Sequence, residues 1–177
     1  MNKNTFYLDM DGVIADWNKG VEDILGYIKE DPNSHYNDAD WAKITTNERM
    51  YRDLSVMGRA GALVSLAKAF EVQLGWDVRF LTAVPKGNDV HWAFWDKCLW
   101  AQEHFPGIPV HFGPFAKDKC THCRPGDILV DDRHSNCVEW RAAGGIAVEV
   151  HPGKYEDAIS EVKMLLANHL AREQLVD

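Results

Sequence analysis

The chain has 177 residues, 46% of them hydrophobic and 26% charged, with a formal net charge of −8. This length suits about one domain with a sizeable core, and the composition is that of a globular protein. An acidic balance argues against a nucleic-acid groove binder and against a stable nucleic-acid complex, which call for a basic face. It leaves room for a small anionic substrate, because a few local cations and a metal can reverse the field inside a cleft. No run of roughly 18 uncharged apolar residues is present, so no membrane span is expected. Asp9 and Asp11 interrupt the first hydrophobic run, which points to the cytoplasm rather than to a secretory leader.

In chain order, residues 5–9 read as a short buried strand without polar alternation. A helix is expected from about Asp16, with Trp17, Val21, Ile24, Leu25 and Ile28 at helical spacing. Residues 29–40 are rich in Asp, Asn, Pro and Ser and read as a loop. Thr45-Thr46-Asn47-Glu48 has the form of a capping box opening a short helix through Met50 and Tyr51. Gly58 and Gly61 precede a helix with Leu63, Leu66, Ala67 and Phe70 on one face. Strands at 78–82, 109–112, 128–131 and 146–150 then alternate with helices at 91–104 and 136–143, and an amphipathic helix with Ile159, Val162, Leu166 and Leu170 ends the chain. This alternation predicts an α/β fold with a parallel sheet covered on both faces, whose ligand sits at the carboxyl ends of the strands.

Three of those ends carry chemistry. The first strand runs into Asp9-Met10-Asp11-Gly12-Val13, and period-2 geometry lets both carboxylates reach one point beyond it. Two acids so close are tolerated only when a cation or a shared proton relieves them. The second strand ends in the hydroxyl of Thr82, and the fourth ends in Asp131-Asp132. Lys117-Asp118-Lys119 lies between, as a local source of positive charge. Four hard carboxylates beside a lysine favour Mg²⁺ over softer metals and suit a phosphate ester as substrate. Asp9 is then the candidate nucleophile towards phosphorus, and Asp11 the group that protonates the leaving oxygen and later activates water.

These residues, in order and spacing, resemble the four motifs of the haloacid dehalogenase superfamily over nearly the whole chain. The run from Asp9 through Ala15-Asp16-Trp17, the segment Thr82-Ala83-Val84-Pro85-Lys86, Asp118-Lys119 and Ile128 to Arg133 are more closely similar to the 5′(3′)-deoxyribonucleotidases. The resemblance implies a Rossmann-like three-layer α/β/α core made of residues 1–16 and 76–177, with a small helical cap from residues 17–75. It implies Mg²⁺ dependence and hydrolysis of deoxyribonucleoside monophosphates. Asp9 would be the nucleophile and Asp11 the acid/base that also binds Mg²⁺ through its carbonyl. Asp132 would ligate the metal with Asp131 alongside. Thr82, Lys86 and Lys119 would hold the phosphate, and Trp17 would stand against the base. Members of the family often pair, so a homodimer is open.

The sequence departs from that pattern in two places. Ala83 stands where the family has serine, and the stretch 120–126 is about two residues longer than expected. Both bear on substrate choice more than on catalysis. The same mechanism would serve a sugar phosphate, a cofactor phosphate or a phosphorylated nucleic-acid end, while a non-catalytic binding module would have lost the aspartates. Cys120, Cys123, His134 and Cys137 have spacing that a zinc site could use. However, His134 directly follows the motif aspartates and Cys137 starts a core helix, so all four cysteines, Cys98 included, read as reduced thiols. Trp92 and Trp95 read as packing residues.

Overall fold

The computed structural model describes residues 3–30, 34–85, 90, 92–113 and 115–175. Strands β1 (Thr5–Leu8), β2 (Asp77–Thr82), β3 (Val110–Phe112), β4 (Ile128–Asp131) and β5 (Ile146–Glu149) pair in parallel in the order β3-β2-β1-β4-β5. The chain builds outward from β1 to β2 and β3, crosses back to place β4 on the other flank of β1, and continues to β5. Strand order therefore reverses between β1 and β4, and in open parallel sheets the crevice outside the strand ends at such a reversal binds the ligand. Leu8 pairs with Phe80 and Val130, and the Asp9 amide donates to the Val130 carbonyl at 2.9 Å. The acidic ends of β1 and β4 are thus level.

Side-chain alternation divides the core. Phe6, Leu8, Val78, Phe80, Ile128, Val130 and Val148 face helices α3 (Ala60–Leu74), α4 (Trp92–His104) and α6 (Tyr155–Glu173). Tyr7, Leu81, Leu129 and Ala147 face the other layer, where α5 (His134–Ala142) supplies Cys137 and Trp140. A 3₁₀ helix, Ala116–His122, packs beside α5 in that layer. The sheet is therefore covered on both faces, as the alternating pattern predicts.

Between β1 and α3 lie α1 (Trp17–Leu25) and α2 (Asp38–Thr46), which pack on each other. Asp16 caps α1 by accepting from the Lys19 amide. Asn37 caps α2 by accepting from the Asp40 amide. Thr45 and Thr46 therefore close a helix instead of opening one, and their hydroxyls donate back to the carbonyls of Trp41 and Ala42. The first turn of α2 falls in the stretch read as loop, because its Asn-Asp-Ala-Asp start carries turn residues that serve equally as a helix N-terminus. Helix α3, at the end of the segment expected to form the cap, packs on β2 and α6. No described helix is long and apolar enough to cross a membrane.

Asp127, fully buried before β4, ties β1 to the loop that leads into β4. It accepts from the amides of Thr5 at 2.7 Å and Arg124 at 3.1 Å, and from the Arg124 guanidinium at 3.3 Å. Asp127→Ala leaves two amides unpaired, so the unfolding free energy from urea titration should fall by about 2–3 kcal/mol. A change below about 0.5 kcal/mol would contradict this account of the β1–β4 seam.

Candidate active site

The turn after β1 aims two carboxylates into the crevice. Three successive amides, those of Val13, Ile14 and Ala15, donate to the Met10 carbonyl, and Gly12 adopts a φ of 77°. Glycine is required here for a second reason. A Cβ at residue 12 would lie 2.2 Å from Oδ2 of Asp132, so only glycine lets β1's turn approach the end of β4.

At the centre is Lys119, 2% exposed, whose Nζ stands 2.7 Å from Oδ2 of Asp9 and 2.7 Å from Oδ2 of Asp131. The 3₁₀ helix delivers it, and Gly113 at the end of β3 makes that possible, since a Cβ there would come within 2.9 Å of the Lys119 backbone. Lys117, its sequence rival, is exposed and lies 3.9 Å from Asp118. Asp9 is fixed at its other oxygen by the Met10 amide at 2.7 Å.

The two adjacent aspartates at the end of β4 differ. Asp131 is saturated: Lys119 holds one oxygen, the Arg133 amide donates to the other at 2.9 Å, and the Asn136 amide group reaches both. Asp132 keeps solvent access at the rim. One carboxylate oxygen from each of Asp9, Asp131 and Asp132 lies within 4.8 Å of the others. All are hard oxygen donors, and this set fits a hard divalent cation.

The electrostatics follow from crowding. Burial pushes the Asp9 carboxyl up to about 7; the Lys119 charge opposes this, while Asp131 and Asp11 add to it. Desolvation among the neighbouring groups, then repulsion from Asp9 and Asp131, push the Asp132 carboxyl well above the usual range. Burial works against the Lys119 charge, but Asp131 and Asp9 outweigh it and hold the ammonium above the ordinary lysine range. Without a cation, the cluster relieves its repulsion by holding protons.

A second buried lysine, Lys97 of α4, serves the other half of the site and escapes the sequence motifs. Its Nζ lies 2.5 Å from Oδ2 of Asp11 and 3.1 Å from Oγ1 of Thr82, and only 1% of it is exposed. Oδ1 of Asp11 is buried without a hydrogen-bond partner among the described residues. The signal for Lys97 was its place in the α4 stripe Ala93, Asp96, Lys97, Trp100 and Ala101, all buried. A lysine on that face requires a partner.

Trp17, half-buried, stacks on Tyr51 at 5.6 Å and 24°, and Trp92 lies tilted against Tyr51 at 5.8 Å and 45°. Trp92 thus belongs to an aromatic wall beside Lys97, while Trp95, expected to pack, is 68% exposed. Lys86 lies outside the described residues. The cysteines are free. Cys120, Cys123, Cys137 and His134 do not converge on a common point among the described residues; their polar atoms are spent on Lys117, Trp140, Asp131 and Glu149, respectively.

The switch point of the parallel sheet thus gathers paired aspartates around a buried lysine. The family model for 5′-nucleotidase, deoxy (pyrimidine), cytosolic type C proteins matches residues 3–160, and the chain belongs to that family, a family of phosphomonoesterases. Among solved structures, a HAD family enzyme of Bacteroides thetaiotaomicron, a magnesium complex, is similar at 13% identity, covering 87% of this chain and 96% of its own with a TM-score of 0.38. No curated protein matches by sequence.

Proton and cation compete for the same carboxylates, which sets a pH dependence. The raised Asp9 value means that the folded, metal-free protein binds a proton more tightly than the unfolded chain, whose carboxyl titrates near about 4. The stability that this proton contributes is complete below about 4 and is lost as pH rises through about 7. Added Mg²⁺ should therefore raise the thermal midpoint clearly at about pH 8 and little at about pH 5.5. Equal shifts at both would contradict cation binding at this cluster.

Proposed function

We propose that the protein is a Mg²⁺-dependent phosphatase of deoxyribonucleoside monophosphates that works through an aspartyl-phosphate. The observation that carries this reading is the division of labour between the two buried lysines: Lys119 grips Asp9 and Asp131, and Lys97 grips Asp11 and Thr82. The first pair prepares a nucleophile, and the second prepares a proton donor beside a phosphate-binding hydroxyl.

In this reading Asp9 attacks phosphorus in line with the ester oxygen, forming an acyl phosphate as the phosphorus–oxygen bond to the leaving group breaks. Asp11 gives its proton to that leaving oxygen. Lys97 occupies Oδ2 of Asp11, so Oδ1, which has no partner among the described residues, is the atom assigned to the transfer. Asp11 then takes a proton from water, which attacks the acyl phosphate and releases inorganic phosphate and free Asp9. Thr82, Lys119 and Lys86 are assigned to the phosphoryl oxygens. Asp9, Asp132 and the Asp11 carbonyl would hold Mg²⁺, with Asp131 ordering the cluster. The bound ion supplies charge that offsets the phosphoryl oxygens.

Substrate choice is assigned to the helical segment within residues 17–75. Trp17 is half-buried and stacks on Tyr51, and it is the ring assigned to stacking on a flat base. A panel of nucleoside monophosphates and sugar phosphates, assayed for released phosphate with Mg²⁺ and with chelator, tests the reading. Mg²⁺-dependent release fastest from deoxyribonucleotides supports it. A preference for sugar phosphates overturns the substrate, and chelator-insensitive release overturns the metal.

Two variants test the roles. Asp11→Asn should keep Mg²⁺ binding and lower kcat by about 10²–10⁴-fold; retention of the parent rate removes Asp11 from proton transfer. Trp17→Ala should raise KM for nucleotides about ten-fold with little effect on a small ester. Equal effects on both would place Trp17 in the core instead.

A further inference from the structure

Lys97 has three N–H donors. Asp11 and Thr82 take two directions, at 2.5 and 3.1 Å, and Nζ stands over the ring of Tyr51, 4.4 Å from its centroid. The face of an aromatic ring is electronegative, so it holds an ammonium where no further oxygen is offered. Tyr51 itself has no freedom to do otherwise. It is 4% exposed and in ring contact with both Trp17 and Trp92. Its turn is fastened to α4 on the C-terminal side of Lys97: Trp100 Nε1 donates to the Leu54 carbonyl at 2.7 Å, and Arg52 pairs with Glu103 at 2.5 Å.

We infer that Tyr51 is a positioning residue: its ring holds the Lys97 ammonium against Asp11 and Thr82, joining the helical segment that reads the substrate to the acid/base half of the site. The inference rests on the reading of Asp11 as acid/base and adds a residue that, being buried, acts through Lys97 and not by touching substrate. Trp17 stacks on the ring of Tyr51, and the Lys97 ammonium stands over that same ring. A shift of Trp17 on binding a base is therefore transmitted through one ring to the lysine beside the proton donor.

The test compares Tyr51→Leu, Tyr51→Phe and a protein with pentafluorophenylalanine in place of Tyr51, which keeps the ring's size and reverses its charge distribution. Two readouts are taken. With p-nitrophenyl phosphate, loss of the ring's charge should lower kcat about ten-fold, in Tyr51→Leu and in the fluorinated protein, with KM within about two-fold. Tyr51→Phe should restore kcat to within about three-fold of the parent. In the ¹⁵N–¹H spectrum of lysine side chains, the buried Lys97 ammonium signal should be retained in Tyr51→Phe and lost or displaced in the other two. An unmoved Lys97 signal in the fluorinated protein overturns the inference, as does a rise in KM with kcat retained, which would make Tyr51 a substrate contact. A parent without turnover on any ester overturns the phosphatase reading instead, and the Lys97 spectrum then decides the positioning role by itself. Should Tyr51→Leu not fold, the fluorinated protein carries the comparison.

Discussion

A single ammonium at equal distance from two carboxylates is the contact on which the rest of the structure depends. Lys119 stands 2.7 Å from Asp9 and from Asp131, in a place with almost no solvent. A buried ion pair is poor stabilisation, because desolvation cancels much of the attraction. Its value here lies in geometry: it ties the end of β1 to the end of β4 across the point where strand order reverses. Lys97 repeats the device on the flank towards β2, with Asp11 and Thr82. Four carboxyls, Asp9, Asp11, Asp131 and Asp132, are thus set against two buried lysines. The two charges left over match one divalent cation.

The neighbouring aspartates at the end of β4 show how one dipeptide divides two tasks. Asp131 points into the sheet layer and is consumed by Lys119, Asn136 and the Arg133 amide, so it acts as scaffold and closes the start of α5. Asp132 faces the rim and the bare Cα of Gly12. Asp131 is the last residue of β4, and Asp132 is the first beyond it, where the chain bends away from the strand. Strand alternation separates the two hydrophobic layers, so the site sits where both layers end.

Most of the centre was legible because its residues are tethered to strand ends. Asp9, Asp11, Thr82, Asp131 and Asp132 fall where a short apolar run stops, and the topology then has one edge on which to gather them. Lys119 was legible from its motif, although composition alone could not separate it from Lys117; burial by the 3₁₀ helix does. Lys97 was not, because its one local signal, a place on the buried stripe of α4, names no partner, and its partners lie 86 and 15 residues away. The α2 boundary was misread for a related reason. Thr45-Thr46-Asn47-Glu48 matches a capping box in composition, but the Asn37 side chain already caps a helix that runs through those threonines. Local chemistry of that kind names the residues and leaves their direction to tertiary packing.

Covalent attack by Asp9 is the central claim, and direct capture of the acyl phosphate is its most direct measurement. Asp11→Asn protein, mixed with ³²P-labelled deoxyribonucleotide and quenched in acid, should carry hydroxylamine-sensitive label that maps to the peptide containing Asp9. Label on another residue, or full turnover by an Asp9→Asn protein with none bound, would contradict the account.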